Sequence, residues 1–102
     1  MVTTVDELLA DQGDEAYREF LRVPEMSLGL FAAAPGHVDT QQPHHEDEVY
    51  LVVAGRAVLE ISGARTAVAA GSIAYLPAGA PHRFLDITED LRVVAVFVPP
   101  GP

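Results

Sequence analysis

The chain has 102 residues, with 15 Asp and Glu against 6 Lys and Arg, and a formal net charge of -9. This length accommodates one compact domain, and the negative charge opposes binding to nucleic acid or to an anionic membrane surface. Cysteine is absent, which excludes disulfides, thiolate nucleophiles and Cys-ligated metals. Because no long apolar run and no basic leader are found, we expect a cytoplasmic protein without a membrane partner.

Residues 1–25 are predicted to form a short helix and a lead-in segment. Thr4 and Glu7 have the spacing of a capping box, which predicts a helix within the first thirteen residues. Residues 14–23 fit either a helix face or a strand. We favour a strand because the run ends at Pro24, and the residue before a proline is biased towards extended backbone.

Short apolar runs with Gly and Pro between them occupy residues 26–98. Many short strands and no long helical segment predict an all-β sandwich or barrel. Residues 99–102 contain three prolines and are expected to follow the barrel as a tail. The predicted strands are Met26 to Ala34, Val49 to Ala54, Ala57 to Ile61, Thr66 to Ala69, Ile73 to Leu76 and Leu91 to Val98.

Polar side chains immediately precede an apolar strand within residues 42–55. Alternate residues of a strand share a face. Buried polar groups without partners cost several kcal/mol, and metal ligation would supply the partners. One face carries Gln42, His44, Glu46, Glu48 and Tyr50, and the other carries His45, Asp47, Val49 and Leu51.

A second polar position follows the turn between Pro77 and Pro81, where His82 and Phe84 share a face of the next strand. If the two strands lie side by side, His82 can meet His44 and Glu48. Two imidazoles and one carboxylate with open positions are typical of non-haem iron(II), and they also suit zinc, manganese or nickel.

These two segments together resemble the paired motifs of the cupin family. The first motif is matched in register by Gly36, His44, Glu48 and Gly55, and the second by Gly71, Pro77, Gly79 and His82, with Asp86 where the family usually has Asn. Fifteen residues separate Gly55 from Gly71, as in small bacterial cupins. The resemblance covers roughly residues 26 to 98.

The resemblance implies a small jelly-roll β-barrel with a divalent metal near its mouth. It implies the ligands Gln42, His44, Glu48 and His82, where Gln42 replaces the first histidine of the motif. Three interpretations are open for Gln42. It is a fourth ligand, it hydrogen-bonds a metal-bound water, or its presence means that the site binds metal weakly.

Residues around this cluster have more ordinary interpretations as well. Tyr50 and Phe84 either line the cavity or belong to the barrel core, and the two alternatives are compatible. Glu46 is interpreted as a carboxylate at the rim. Tyr50 and Glu46 are the candidates for proton transfer, whereas His37 and His45 are expected at the surface.

The resemblance implies a metal-dependent enzyme that acts on a small organic molecule inside the barrel, of dioxygenase, isomerase or lyase type. The alternative is a non-catalytic module that binds or senses a small molecule or a metal. The resemblance also implies a homodimer.

Overall fold

The structure, a computed structural model, describes residues 1–102. It contains one helix and six strands. They are α1 (Val5–Gln12), β1 (Tyr17–Val23), β2 (Met26–Ala33), β3 (Asp47–Ile61), β4 (Ala64–Ala69), β5 (Ile73–Leu76) and β6 (His82–Val98).

The predicted helix at the start of the chain is confirmed. The Thr4 side chain caps α1 by accepting a hydrogen bond from the Glu7 backbone N–H at 3.1 Å. Such a cap satisfies one of the N–H groups that the first turn leaves without a partner. The strand favoured for residues 14–23 is also confirmed, as β1, which pairs antiparallel with β2.

The strands follow the order β1-β2-β6-β3-β4, and β5 pairs with β3. The predicted all-β barrel with a short N-terminal helix is confirmed, but two strand boundaries were wrong. The expected break at Gly55 lies inside β3, and the chain from His82 to Val98 is one strand. The division at residues 25 and 98 stays a prediction, and β1 within the first segment is part of the sheet.

The antiparallel ladder of β3 and β6 bends in the middle. Its register runs from Asp47 opposite Val98 to Ile61 opposite His82, with shifts on both sides of Gly55. One half of the ladder therefore continues into β5 and β2, and the other half into β4. The bend lets the two halves face each other around the core.

The core consists of 13 buried apolar residues between these halves. Its aromatic centre is the ring of Phe84, stacked on Phe31 at 5.4 Å and on Tyr50 at 5.1 Å between ring centroids. Stacked rings of this kind stabilise a core beyond the area that they bury. No helix of the structure is long and apolar enough to span a bilayer.

The tail beyond β6 packs back on the sheet. The Gly101 N–H donates to the buried Ser27 hydroxyl at 2.8 Å, and the Gly101 carbonyl accepts from the Arg22 guanidinium. Gly101 also lies against the ring of Phe97. Residues 99–102 are therefore held to β1 and β2 by hydrogen bonds and packing.

We predict that Gly55→Ala destabilises the protein by at least about 2 kcal/mol, because it combines backbone strain with a steric clash. Gly55 has φ 93°, and a Cβ there would lie 2.7 Å from the Leu91 Cα. Gly63→Ala is the matched control, since Gly63 has φ 87° and no atom within 4 Å of an added Cβ. Urea unfolding measures both variants, and equal losses would contradict the role of close packing at the bend.

Candidate metal centre

Three side chains from different segments meet at one end of the cavity. Glu48 points inwards from β3, opposite Leu76 of β5, and the turn after β5 leads the chain to His82. His44 lies in the loop before β3, and its carbonyl accepts a hydrogen bond from the Gly79 N–H at 2.7 Å. That bond joins the two motif segments through their backbones.

The predicted meeting of His44, Glu48 and His82 is seen in the structure, but its geometrical reason differs from the expected one. Glu48 and His82 do not lie side by side, because Glu48 pairs with Phe97 and His82 pairs with Ile61 at the far end of the ladder. The bend returns His82 to Glu48 across the barrel.

The three side chains place one ligand atom each within 4.8 Å of one another. Glu48 Oε1 lies 3.0 Å from His44 Nε2 and 3.2 Å from His82 Nε2. The side chain of Glu48 is only 2 % exposed. A carboxylate buried to this degree is costly unless it is paired with a cation or hydrogen-bonded.

Backbone carbonyls determine which nitrogen of each imidazole carries hydrogen. His44 Nδ1 lies 3.1 Å from the Glu46 carbonyl, and His82 Nδ1 lies 2.9 Å from the Ala80 carbonyl. A carbonyl only accepts, so each Nδ1 carries a hydrogen. Each Nε2 faces the Glu48 carboxylate, which also only accepts, so either Nε2 is protonated and donates to Glu48, or its lone pair and the carboxylate share a cation.

Two features of His82 are compatible with a bound cation. Its Nε2 is buried and has no hydrogen-bond partner. Burial lowers the pKa of His82, but the Glu48 carboxylate, the Ala80 carbonyl and the charge of Asp39 outweigh burial and raise this pKa above its ordinary value. A proton on Nε2 would take the place of a metal between His82 and Glu48.

A cavity of about 870 Å³ opens beside the three residues, which is within the size range of small-molecule sites. Its wall includes His44 and Glu48, and the ring of Phe97 packs edge-on against His44 at 5.1 Å. Strand β1 and the tail also contribute, through Tyr17 and Pro102.

Gln42 lines the cavity with an exposed side chain. Its amide nitrogen donates to the Thr40 carbonyl at 3.4 Å. Residues before Asp47 form a loop, so the alternation expected from a strand does not extend back to this residue. The role of Gln42 as a ligand stays a prediction.

Glu46 also lines the cavity, and its side chain is largely buried. Its Oε1 has no hydrogen-bond partner and lies 3.6 Å from His44 Nδ1. The structure thus brings a free carboxylate oxygen close to the three-residue cluster, deeper than a rim position would place it.

Tyr50 both belongs to the core and lines the cavity. Burial and the charge of Glu48 raise the pKa of Tyr50 well above its ordinary value, although the hydrogen bond to Gln41 lowers it in part. Phe84 is not part of the cavity wall and packs behind Tyr50. His37 and His45 are exposed, as expected, and both line the cavity.

Sequence reasoning missed Asp39 and Gln41. Asp39 is buried, and its carboxylate accepts hydrogen bonds from the Phe84 N–H and from the side chain of Gln41. It also accepts from the Gln41 backbone N–H at 3.2 Å. An Asp that binds the N–H two residues later is a local turn pattern, and this was the available signal.

Comparison with known proteins agrees with this geometry. The Cupin domain family model matches residues 29–99. The chain belongs to the cupin family, as the two motifs indicated.

A Streptomyces coelicolor protein, SCO3923, is 51% identical over 98 residues, which cover 94% of this chain and 93% of the relative. The crystal structure of TT1209 from Thermus thermophilus is 24% identical, covers 97% of each chain and has a TM-score of 0.81. A Cupin 2 conserved barrel domain protein from Salinispora arenicola is 27% identical with a TM-score of 0.75, over 95% of this chain and 87% of that chain.

The raised pKa of His82 predicts how the stability of metal-stripped protein depends on pH. A group whose pKa rises on folding stabilises the protein fully below its unfolded value, near 6.5, and this contribution is lost as pH rises through the folded pKa. Urea unfolding in chelator should therefore show this contribution present below about pH 6.5 and lost as pH rises above it. His82→Asn should flatten this pH dependence. An unchanged slope in that variant would show that His82 is not the titrating group.

Proposed function

We propose that the protein binds one divalent metal ion through His44, Glu48 and His82 and acts as a metal-dependent enzyme on a small organic molecule in the adjacent cavity. The observation that carries the proposal is the convergence of two imidazole Nε2 atoms on one buried carboxylate. Iron, manganese, zinc and nickel all accept this donor set.

A metal held by three protein ligands would supply Lewis-acid polarisation and keep positions open for a substrate atom. The protein's own groups would do the rest. The Glu46 and Ala80 carbonyls orient the two imidazoles. The Phe97 ring covers His44 on one side and limits the access of water.

Glu46 supports a role in proton transfer, because its Oε1 is buried, lines the cavity and makes no hydrogen bond. Tyr50 suits that role less well, since its raised pKa keeps the hydroxyl protonated. We propose Glu46 as the group that accepts a proton from the substrate.

The alternative function is a module that binds a small molecule or a metal without turnover. It is favoured by the small number of proton-transfer groups, because the Tyr50 hydroxyl is engaged with Gln41 and Glu46 is left as the candidate. The two functions share the metal site and differ in chemistry. A cytoplasmic location stays a prediction for both.

We expect the untagged protein, loaded with iron(II), manganese, zinc or nickel and desalted, to retain about one ion per chain. His44→Ala and His82→Ala should bind the metal at least about 100-fold more weakly, because each removes a ligand. His37→Ala and His45→Ala are matched controls on the cavity wall and should retain the metal. Elemental analysis measures all variants, and equal metal content in all four would contradict the site.

Gln42→Ala in the same measurement determines the role of Gln42. Reduced metal content would make Gln42 a ligand, and unchanged content would place it outside the coordination sphere.

Turnover separates the enzyme from the binding module. Iron(II)-loaded protein is mixed with a panel of small diols and enols, and oxygen uptake and product formation are followed. Oxygen uptake with product formation that is reduced in Glu46→Gln supports the enzyme. Binding without any product supports the non-catalytic module.

We further propose a homodimer formed through the outer face of β3, β5 and β6. This face is mostly apolar in a protein of net charge -9, although Asp47 shares it, opposite Val98 and hydrogen-bonded to the Tyr75 hydroxyl. A two-fold axis would place the same apolar side chains against each other. The register brings its members side by side across the strands. The exposed residues of this face are Val49, Leu51, Ile73, Tyr75 and Val98.

Ile73→Lys should convert the protein from dimer to monomer, because it places a charge in an apolar contact. Ile73 is 74% exposed in the single chain, and Val38, at 77%, lies outside this face. Val38→Lys is therefore the matched control and should remain dimeric. Light scattering coupled to size exclusion measures the mass, and a monomeric wild type would contradict the dimer.

A further inference from the structure

Three side chains form a hydrogen-bonded chain along the cavity wall. The Tyr50 hydroxyl donates to Gln41 Oε1 at 3.1 Å, and Gln41 Nε2 donates to Asp39 Oδ2 at 2.6 Å. Asp39 Oδ2 also accepts the Phe84 N–H at 2.8 Å. All three side chains border the cavity, so the direction of these hydrogen bonds affects what a ligand meets there.

The donor-to-acceptor direction of these hydrogen bonds follows from Asp39. Its two oxygens accept from two backbone N–H groups, of Phe84 and Gln41, so the carboxylate acts as an acceptor throughout. The Gln41 amide must then turn its NH₂ group towards Asp39, since the reverse orientation would place two oxygens 2.6 Å apart. The carbonyl oxygen of Gln41 is left facing Tyr50.

This orientation uses the single hydrogen of the Tyr50 hydroxyl. Because Gln41 Oε1 cannot donate, the hydroxyl must donate to it, and the remaining lone pair on the Tyr50 oxygen receives no hydrogen bond from the protein. Because Tyr50 lines the cavity, this lone pair is open to a donor from a bound molecule. A ligand hydroxyl or N–H that donates to it would add one hydrogen bond.

We propose that Tyr50 acts on the cavity ligand only as a hydrogen-bond acceptor, and that it selects ligands with a hydroxyl or N–H donor at this position. Gln41 and Asp39 are the positioning residues that impose this polarity. The proposal rests on the proposed function for the presence of a small molecule in the cavity, and it deepens that function by giving the chemical class of the molecule.

The metal site adds the second half of the class. A divalent ion would bind an anionic oxygen of the ligand directly at an open coordination position. This bond would act against the carboxylates of Glu19, Asp39 and Glu46 in the cavity wall. Tyr50, His44 and Glu48 line the same cavity, so one small molecule can reach both the Tyr50 hydroxyl and the metal site. The expected ligand has a carboxylate or similar oxygen at one end and a hydroxyl or amine a few atoms away.

Raman spectroscopy tests the polarity without any ligand, because the tyrosine Fermi doublet differs between donating and accepting hydroxyls. The difference between wild type and Tyr50→Phe should show a hydroxyl that donates. The same comparison, Gln41→Leu against Gln41→Leu/Tyr50→Phe, should show a hydroxyl that no longer donates to Gln41. Tyr17→Phe is the matched control, since Tyr17 lines the cavity but is not part of the chain.

Matched probe pairs test the selection. We use 3-hydroxybenzoate with 3-methoxybenzoate, and 3-hydroxypropionate with 3-methoxypropionate, on zinc-loaded protein by ligand-observed NMR. Each hydroxyl compound should bind roughly tenfold more tightly than its ether, as expected for one hydrogen bond at a buried site. In Gln41→Leu and in Asp39→Asn, which can still accept the Phe84 N–H, the preference should fall below about threefold.

The outcomes separate the two proposals. Equal binding within each pair, a preference that persists in Tyr50→Phe, or binding of neither member overturns the ligand class. An accepting hydroxyl in the wild-type Raman difference, or one unaffected by Gln41→Leu, overturns the polarity. Metal content is measured on the same samples. If the protein retains metal while the ligand class or the polarity is overturned, the proposed metal site stands. If Tyr50 donates but no metal is retained, only the proposed function is overturned.

Discussion

The bend in the ladder of β3 and β6 is the constraint on which the rest of the structure depends. In a straight ladder, Glu48 and Ile61 would lie roughly 40 Å apart at about 3.3 Å per residue, and His82, opposite Ile61, would be equally far from Glu48. The molecule extends only 33 Å along its longest axis. Gly55 permits the bend because its backbone has φ 93° and approaches Asp90 and Leu91 more closely than any side chain would allow. The core and the metal centre both form between the two halves that this bend brings together.

The three-residue cluster of the candidate metal centre is positioned by backbone groups more than by side chains. Carbonyls of Glu46 and Ala80 orient the two imidazoles, and the bond from the Gly79 N–H to the His44 carbonyl joins the loops that carry them. Such an arrangement depends on the conformation of the loops that carry the imidazoles. The same principle operates at Asp39, where the Phe84 N–H anchors a chain of side chains to the strand that begins with His82.

Motif spacing was sufficient to predict the fold and the cluster of His44, Glu48 and His82. The two motifs include the turn after β5 and the glycine at the bend, which together position these three residues. Spacing did not reveal that Glu48 and His82 meet across the barrel, since strand pairing over such a separation is not encoded in local periodicity. Alternation also failed before Asp47, where the chain is a loop. It drew attention to Gln42, whereas Gln41 makes the buried contacts with Asp39 and Tyr50. Loop conformations follow from specific hydrogen bonds, and these are visible only in three dimensions.

The packing of the tail determines at which terminus an affinity tag stays clear of the cavity. Pro102 lines the cavity and Gly101 is held against Phe97 and Ser27. A polyhistidine affinity tag fused after Pro102 would start at the cavity wall, within reach of the centre formed by His44 and Glu48. Its imidazoles would compete with the native ligands and with any small molecule. Met1 and Val2 are exposed and do not line this cavity, so the amino terminus is the appropriate attachment point.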